Sequence, residues 1–506
     1  MISQAFRDMI ATLLPTQSEQ EVFFASLQEP LKKSFSINRH HDIDFEHNNP
    51  EFILTPSPFG KEFPDTLYVD RVDTTLALGK TRQHLTGKFY IQEVAAALPA
   101  NILKGYLKDL YTLNSQPLTL LDVCAAPGGK TAQLADFLLT NNIPGFVRGN
   151  DVETKRLGTR ATNIQRCGLY NTLATKLDGS QIGNLYPEFF DAMLVDAPCS
   201  GEGTGFKSDA AYKWRKEESI NKIVGLQEHI VTSAVKACKP GGIIVYSTCT
   251  LNPFENELQI KKLLDKYGDA LEILPINVEN KSPGIVYDPD LVTGHEDKML
   301  RCRPHIHHTG GFFVCVMRKT KSTLKAAQEH ITNKKIHALQ QAKKDHKTST
   351  QPPFSYNKKL EQEMVKRIQE HYGIDVDISK YALIQGKHKI YLADASVREV
   401  LTMGVWLYEC GIPIIKSTGA TRSLEHEFSL TLGEQAKHFT VELTTTQLQS
   451  YCLGQEIELS DEQLTTIPDT TSLKYFNNYI ILTYRDKGIG VGKILGKSIK
   501  NKFFKW

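Results

Sequence analysis

The chain has 506 residues, 41% of them hydrophobic, enough for a large core and, on length, for roughly two to four domains. No run of about 18 apolar residues occurs, and the start MISQAFRDMIATLLPTQSEQ has neither a basic leader with a long apolar stretch nor a small-residue cleavage site, so a membrane span and export are not expected and a cytoplasmic protein is. The net charge of +3 hides two basic stretches suited to a polyanion, Lys319 to Lys347 and the end of the chain, where Arg485 to Trp506 carries seven Lys or Arg against one acid.

Residues 1–70 pair a helical pattern (FRDMIATLL, EVFFASLQEPLKK) with a polar extended segment and read as a small α+β addition. From residue 71 apolar strands alternate with amphipathic stretches: TLLDV and KTAQLADFLL, GFVRGND and KRLGTRATNIQRCG, DAMLVDAPC, GLQEHIVTSAVKAC and GGIIVYSTC. That alternation predicts βαβ units, a doubly wound parallel sheet and an α/β fold, closed near residue 320 by an antiparallel edge at GGFFVCVMRK. Residues 321–351 are charged and run into two prolines, Pro352 and Pro353, as a linker does. Residues 352–430 form a middle region of shorter strands, and residues 431–506 a basic module with a hairpin at NNYIILTYRDKGIGVGKILG.

In LDVCAAPGGKTAQLAD a strand ending at Val123 runs into small residues, and Gly128 and Gly129 allow a ligand to approach the backbone before a helix begins. The spacing is not GxGxxG, so no pyrophosphate cradle is predicted. A smaller adenosine ligand with a charged tail, such as S-adenosylmethionine, needs the same approach. Asp151 in RGNDVE is placed for ribose hydroxyls and Asp178 in KLDGS for the adenine, although any one such Asp is as readily a helix cap or turn residue.

Two further strands end on cysteines, Cys199 in DAPC and Cys249 in YSTC, at the sheet edge where open α/β folds bind ligands. Carbon 5 of a pyrimidine becomes nucleophilic only once a thiolate has added to carbon 6, and a second group must then assist elimination. The attacking thiol needs a positive field, for which Lys130 and the helix start after Pro253 are candidates. The other cysteines, Cys124, Cys167, Cys238, Cys302, Cys315, Cys410 and Cys452, read as small buried hydrophobes, and the absence of CxxC argues against a disulfide frame. Cys302, His305, His307 and His308 do not have the spacing of paired zinc ligands, and GIGVGK lacks P-loop spacing, so neither a metal nor nucleotide hydrolysis is expected.

VCAAPGGKT, DAPCSGEG and YSTCTLNPFENE together resemble the RNA (cytosine-5)-methyltransferases of the Nol/Nop/Sun type, from about residue 30 to 320, and FYIQE at Phe89 to Glu93 and RPHIHHTGGFF from Arg303 resemble that family's flanking segments. The resemblance implies a Rossmann-like methyltransferase sheet with Cys249 as nucleophile and Cys199 assisting product release. It implies S-adenosylmethionine held by Cys124, Ala125, Ala126, Pro127, Gly128, Gly129 and Lys130, by Asp151 and Asp178, and by Asp196 beside the target base. It also implies a cytidine near the decoding region of 16S ribosomal RNA, in the small subunit, as substrate. KKSFSINRH keeps Lys32, Lys33 and Asn38 of the family's amino-terminal RNA-contact segment but has Ser36 where a basic residue is common, and the carboxyl-terminal hairpin and basic tail resemble a PUA-like RNA-binding domain. A tRNA cytosine-5 methyltransferase shares every core motif. A non-catalytic assembly factor is the reading from another class, against which both cysteines and the cofactor acids speak.

Overall fold

The computed structural model describes residues 2–207, 217–324, 353–403, 405–418, 421–467 and 474–502. Most of the expected basic linker, from residue 325 on, and the basic tail from residue 503 lie outside the described residues.

Two helices open the chain, Gln4–Leu13 and Gln17–Ser26, capped by the Ser3 and Thr16 hydroxyls, which accept from Phe6 N and Glu19 N. Their apolar faces, Phe6, Ile10 and Phe23, close over Leu14 and Leu251, the latter two residues past Cys249. The addition is therefore seated beside the proposed nucleophile. β1 (Ser34–Ile37), β2 (Phe52–Pro56), β3 (Thr66–Arg71) and β4 (Phe89–Ile91) form an antiparallel sheet in the order β2-β3-β1-β4. Packing of Phe35, Phe45, Phe52 and Phe89 carries this sheet to Ile91, past the boundary expected at residue 70.

The central sheet is built from β5 (Leu118–Asp122), β6 (Gly145–Asn150), β7 (Thr172–Thr175), β8 (Phe190–Asp196) and β9 (Cys238–Thr248), all parallel in the order β9-β8-β5-β6-β7. β10 (Leu271–Leu274), β11 (Leu300–Cys302) and β12 (Phe312–Lys319) complete one side, β12 running antiparallel to β9. Successive residues face opposite sides: Leu120, Leu194 and Val245 join one core with helices Val94–Asn114 and Gly129–Thr140, whereas Leu121, Val195 and Ile244 join another with helices Glu217–Ala237 and Glu257–Tyr267. Burial on both faces is what the continuous apolar strands encode. From β5 the chain winds outward through β6 and β7, then returns to place β8 on the other side of β5. The crevice between β5 and β8 is thus the topological switch point, where such sheets bind ligands.

The middle region, whose fold the sequence left open, is a sheet of β13 (Phe354–Tyr356), β14 (Tyr381–Gly386), β15 (Lys389–Asp394), β17 (Ile412–Thr418) and β18 (Thr421–Leu424), antiparallel and in that order. Between β15 and β17, β16 (Glu409–Cys410) leaves this sheet and pairs antiparallel with β7, extending the central sheet. The last sheet, β19 (Thr440–Glu442), β20 (Ile457–Glu458), β21 (Tyr479–Tyr484), β22 (Lys487–Leu495) and β23 (Ser498–Asn501), is ordered β19-β21-β22-β23-β20. GIGVGK lies inside β22 as strand rather than as a phosphate loop. No helix among the described residues is long and apolar enough to cross a membrane.

Candidate active site

Five loops leave the carboxyl ends of the parallel strands. In the β5 loop Gly128 adopts φ +110°, a left-handed conformation that side chains disfavour, and at Gly129 a Cβ would lie 2.8 Å from the Tyr90 ring. The small residues thus set how tightly the turn enters its helix. Beneath it, the buried Asp122 accepts from Thr131 Oγ1 at 2.7 Å. Asn150, at the end of β6, ties three loops together: its Nδ2 donates to Val123 O at 3.1 Å and Leu177 O at 2.9 Å, while its backbone carbonyl accepts from Ala125 N at 2.8 Å.

Asp151 Oδ1 accepts from Glu153 N at 3.0 Å; Oδ2 is buried without a hydrogen bond, 3.3 Å from Arg156 Nη1. Arg156 also donates to Ala126 O at 2.8 Å, so it ties the Asp151 loop to the β5 turn. Asp178 is exposed and caps the following turn through Ser180 N at 2.9 Å. Asp178 thus keeps exposed acceptor capacity, and Asp151 Oδ2 is engaged only by the Arg156 charge.

On the other flank Lys130 Nζ donates to Asp196 Oδ2 at 2.7 Å, and Ser247 Oγ to Asp196 Oδ1 at 2.9 Å. Burial works against the Lys130 charge, but Asp196 and Asp122 outweigh it and hold the ammonium pKa above its ordinary value. Cys199 Sγ and Cys249 Sγ, 50 residues apart in the chain, lie 3.3 Å apart. The hydrogen bond to the Cys249 sulfur, then burial, push the Cys199 thiol well above the usual range, so Cys199 holds its proton at neutral pH. Burial also pushes the Cys124 thiol up, although it and Cys452 keep some exposure, unlike the buried thiols expected there. Cys167, Cys238, Cys302, Cys315 and Cys410 are buried as expected.

The two cysteine loops are held by one fully buried carboxylate. Glu255 accepts from Ser200 N at 3.0 Å, Gln227 Nε2 at 2.8 Å, Asn252 Nδ2 at 3.2 Å and the Ser200 hydroxyl, while Tyr246 donates to its backbone carbonyl at 2.7 Å. Gly203 N donates to Cys249 O at 3.0 Å, and a Cβ at Gly203 would collide with that carbonyl and with Gly311. Sequence reasoning missed Glu255 and Asn150; the ENE of NPFENE was visible, but not its partners.

A cavity of about 890 Å³ adjoins the β8 loop at Gly205 and is lined by Arg7, Lys32, Lys33, Gln92 and Glu93 among others. Asn38, expected with the lysines to contact RNA, is instead buried and donates at 2.9 Å to both Gly87 O and Cys167 O, and Ser36 is buried against Thr66. Asn38 fastens the amino-terminal sheet to the core and Ser36 joins two of its strands, leaving the lysines at the cavity. Among the described residues no group of His, Cys, Asp or Glu is arranged to hold a metal ion; His305 meets Glu19 at 3.3 Å and His307 stacks on Phe59.

Residues 110–318 match the family described as 16S rRNA methyltransferase RsmB/F, and residues 438–506 match the methyltransferase RsmF PUA domain. The ribosomal RNA small subunit methyltransferase F of Aeromonas salmonicida is 30% identical over 98% of this chain and 95% of its own length. The chain belongs to the ribosomal RNA small subunit methyltransferase F family. The methyltransferase F of Escherichia coli is likewise 30% identical, over 99% of this chain and 95% of that protein. A solved structure described as NSun6 from Pyrococcus horikoshii with SFG shares the fold over 63% of this chain and 99% of its own, with a TM-score of 0.50 and 21% identity. In this methyltransferase F chain the first matched segment contains all five loops, and the second contains the whole β19–β23 sheet, starting at 438 rather than at the 431 read from the sequence.

Proposed function

We propose that this enzyme transfers a methyl group from S-adenosylmethionine to carbon 5 of a cytidine in 16S ribosomal RNA of the small subunit, with Cys249 as nucleophile. The observation that carries the reading is the pair of sulfurs 3.3 Å apart, one on a thiol held protonated, beside the Lys130–Asp196 ion pair.

The residues present fit the cofactor. Asp151 Oδ2, which makes no hydrogen bond and is paired only ionically with Arg156, accepts from ribose hydroxyls, the exposed Asp178 takes the adenine edge, and the turn Cys124 to Lys130 gives backbone access for the amino-acid tail. When bound, S-adenosylmethionine supplies an electrophilic methyl group on a sulfonium. Cys249 Sγ adds to carbon 6 of the cytosine, and the displaced electron density makes carbon 5 the nucleophile that takes the methyl group. Cys199 Sγ contacts Cys249 Sγ, and the Lys130 ammonium, which interacts electrostatically with Cys249, supplies a positive field there. Asp196, fixed by Lys130 and Ser247, lies beside the base. After transfer Cys199, in contact with the Cys249 sulfur, passes its proton to that departing sulfur and as a thiolate takes the proton from carbon 5; the C5–H electrons restore the carbon 5–carbon 6 double bond and the Sγ–carbon 6 pair returns to Cys249.

The cavity with Arg7, Lys32 and Lys33 supports a path for the RNA strand past Gly205, and the PUA domain supports a second hold on folded RNA. The test is incubation of the protein and labelled S-adenosylmethionine with 16S RNA, assembled small subunits and bulk tRNA, followed by mapping of the labelled base. Label in one 5-methylcytidine of the ribosomal RNA is expected. Label confined to tRNA would remove the substrate assignment, and tight RNA binding without label would remove the enzyme. Cys199→Ala is expected to trap RNA on the protein as a band of raised mass; a clean, fully active variant would reassign Cys199 as structural.

A further inference from the structure

The helix Thr154–Arg166, next in the chain after the Asp151 loop, sends one side chain beneath Gly128 and Gly149. Arg160 is fully buried, and its stem and guanidinium lie against two glycines of the site. A Cβ at Gly128, in the cofactor turn, would come within 3.0 Å of Arg160 Cγ, and one at Gly149, two residues before Asp151, within 2.3 Å of Arg160 Nε. The Arg160 stem thus backs Gly128 and its guanidinium backs Gly149.

What holds Arg160 there comes from the other half of the chain. Arg160 Nη1 donates to Glu409 Oε2 at 2.9 Å and Nη2 to Leu173 O at 3.0 Å, 249 and 13 residues away. Glu409 is brought there by β16, whose flanking backbone is fastened to β7 by Tyr408 N to Ala174 O at 2.7 Å and Gly411 N to Thr172 O at 2.8 Å. Arg160 has no other carboxylate within ion-pair distance among the described residues, and its Nε has no hydrogen-bond partner. Removing the Glu409 charge leaves the buried guanidinium with only the longer-range attraction of Asp122, and it must then move or draw in water, displacing the surface against Gly149 and, through the stem, that against Gly128.

We propose that Glu409 is a positioning residue for the cofactor: by fixing Arg160 beneath Gly128 and Gly149, the carboxyl-terminal region shapes the S-adenosylmethionine site of the central domain. Glu409 touches neither cofactor nor substrate. Its effect passes through Arg160 to the two loops that carry the β5 turn and Asp151, not to the cysteine loops, which Glu255 braces separately. The inference rests on the cofactor site proposed above.

The test is calorimetric titration of the full chain with S-adenosylmethionine, for the wild type, Glu409→Gln, Glu409→Asp and Cys410→Ala, with methylation kinetics alongside. Glu409→Gln is expected to weaken cofactor Kd about tenfold, the scale of one lost charge-assisted contact. The cofactor KM should rise with it while kcat stays near the wild-type value, and Glu409→Asp should recover part of the affinity. Cys410→Ala, buried in the same two-residue strand, is the control for general loosening: lower thermal stability with unchanged Kd is expected. A Kd for Glu409→Gln within twofold of the wild type, or an equal weakening by Cys410→Ala, overturns the inference while leaving the cofactor reading intact. Failure of the wild type to bind S-adenosylmethionine overturns both.

Discussion

The two flanks of the switch-point crevice are built on different principles. On the cysteine flank the carboxylates are committed: Glu255 takes donors from Ser200, Gln227 and Asn252, and Asp196 takes Lys130 and Ser247. On the cofactor flank acceptors are left over, Asp151 Oδ2 and Asp122 Oδ1 without hydrogen bonds and Asp178 exposed. A group that forms and breaks a covalent bond must be held to a fraction of an ångström, so its surroundings are satisfied in advance. A flank that admits a ligand keeps acceptors for it and pays with desolvation.

The strongest way to break this contrast is to remove the proposed nucleophile. Cys249→Ala is expected to lower methylation by more than about a thousandfold while leaving S-adenosylmethionine affinity within twofold, because the sulfur belongs to one flank only. Titration calorimetry alongside label transfer reads both. A large loss of cofactor affinity would show that the flanks are one unit.

A smaller effect is expected from Glu255→Gln. The carboxylate accepts from the Ser200 amide, the Ser200 hydroxyl, Gln227 and Asn252, whereas a carboxamide has one acceptor oxygen and sets an NH₂ against donors. A loss of about 2–4 kcal/mol of stability is expected, with a lower kcat and unchanged cofactor Kd. Urea unfolding and single-turnover kinetics measure the two parts. Unchanged stability would mean that another group braces the cysteine loops.

Much of this was legible in the residues themselves. Strand ends followed by small or polar residues identify the sheet edge, and Cys199, Cys249, Lys130 and Asp196 stand in runs that mark them as one chemistry. The braces were not legible, because each joins distant parts of the chain: Glu255 reaches Ser200 across 55 residues, Asn38 reaches Cys167 across 129, and Arg160 reaches Glu409 across 249. A two-residue strand such as β16 has no periodicity to read, so the junction between the halves had no local signal. Asn38 shows the converse error. A polar residue beside lysines reads as a contact for RNA, but its amide is spent on two buried carbonyls.

The finest probe of the contrast is the charge on Asp122, at the base of the cofactor flank. Burial raises its pKa from 3.8 to about 6, against the lowering influence of the Thr131 hydroxyl, Lys130 and Arg160. The folded state therefore holds this proton more tightly than the unfolded chain. The stability it contributes is complete below about pH 4 and is lost as the pH rises through about 6. Asp122→Asn keeps an oxygen for Thr131 and never ionises. Its stability should match the wild type near pH 4 and exceed it above pH 6 by at most about 2–3 kcal/mol, since one pKa unit is about 1.4 kcal/mol. Denaturation of both proteins from pH 4 to 7 isolates this group, because every other titration is common to the pair. If the variant instead loses ground as the pH rises, Lys130 and Arg160 stabilise the Asp122 carboxylate more than burial penalises it. The cofactor flank would then be as fully compensated as the cysteine flank, and the contrast would rest on Asp151 and Asp178 alone.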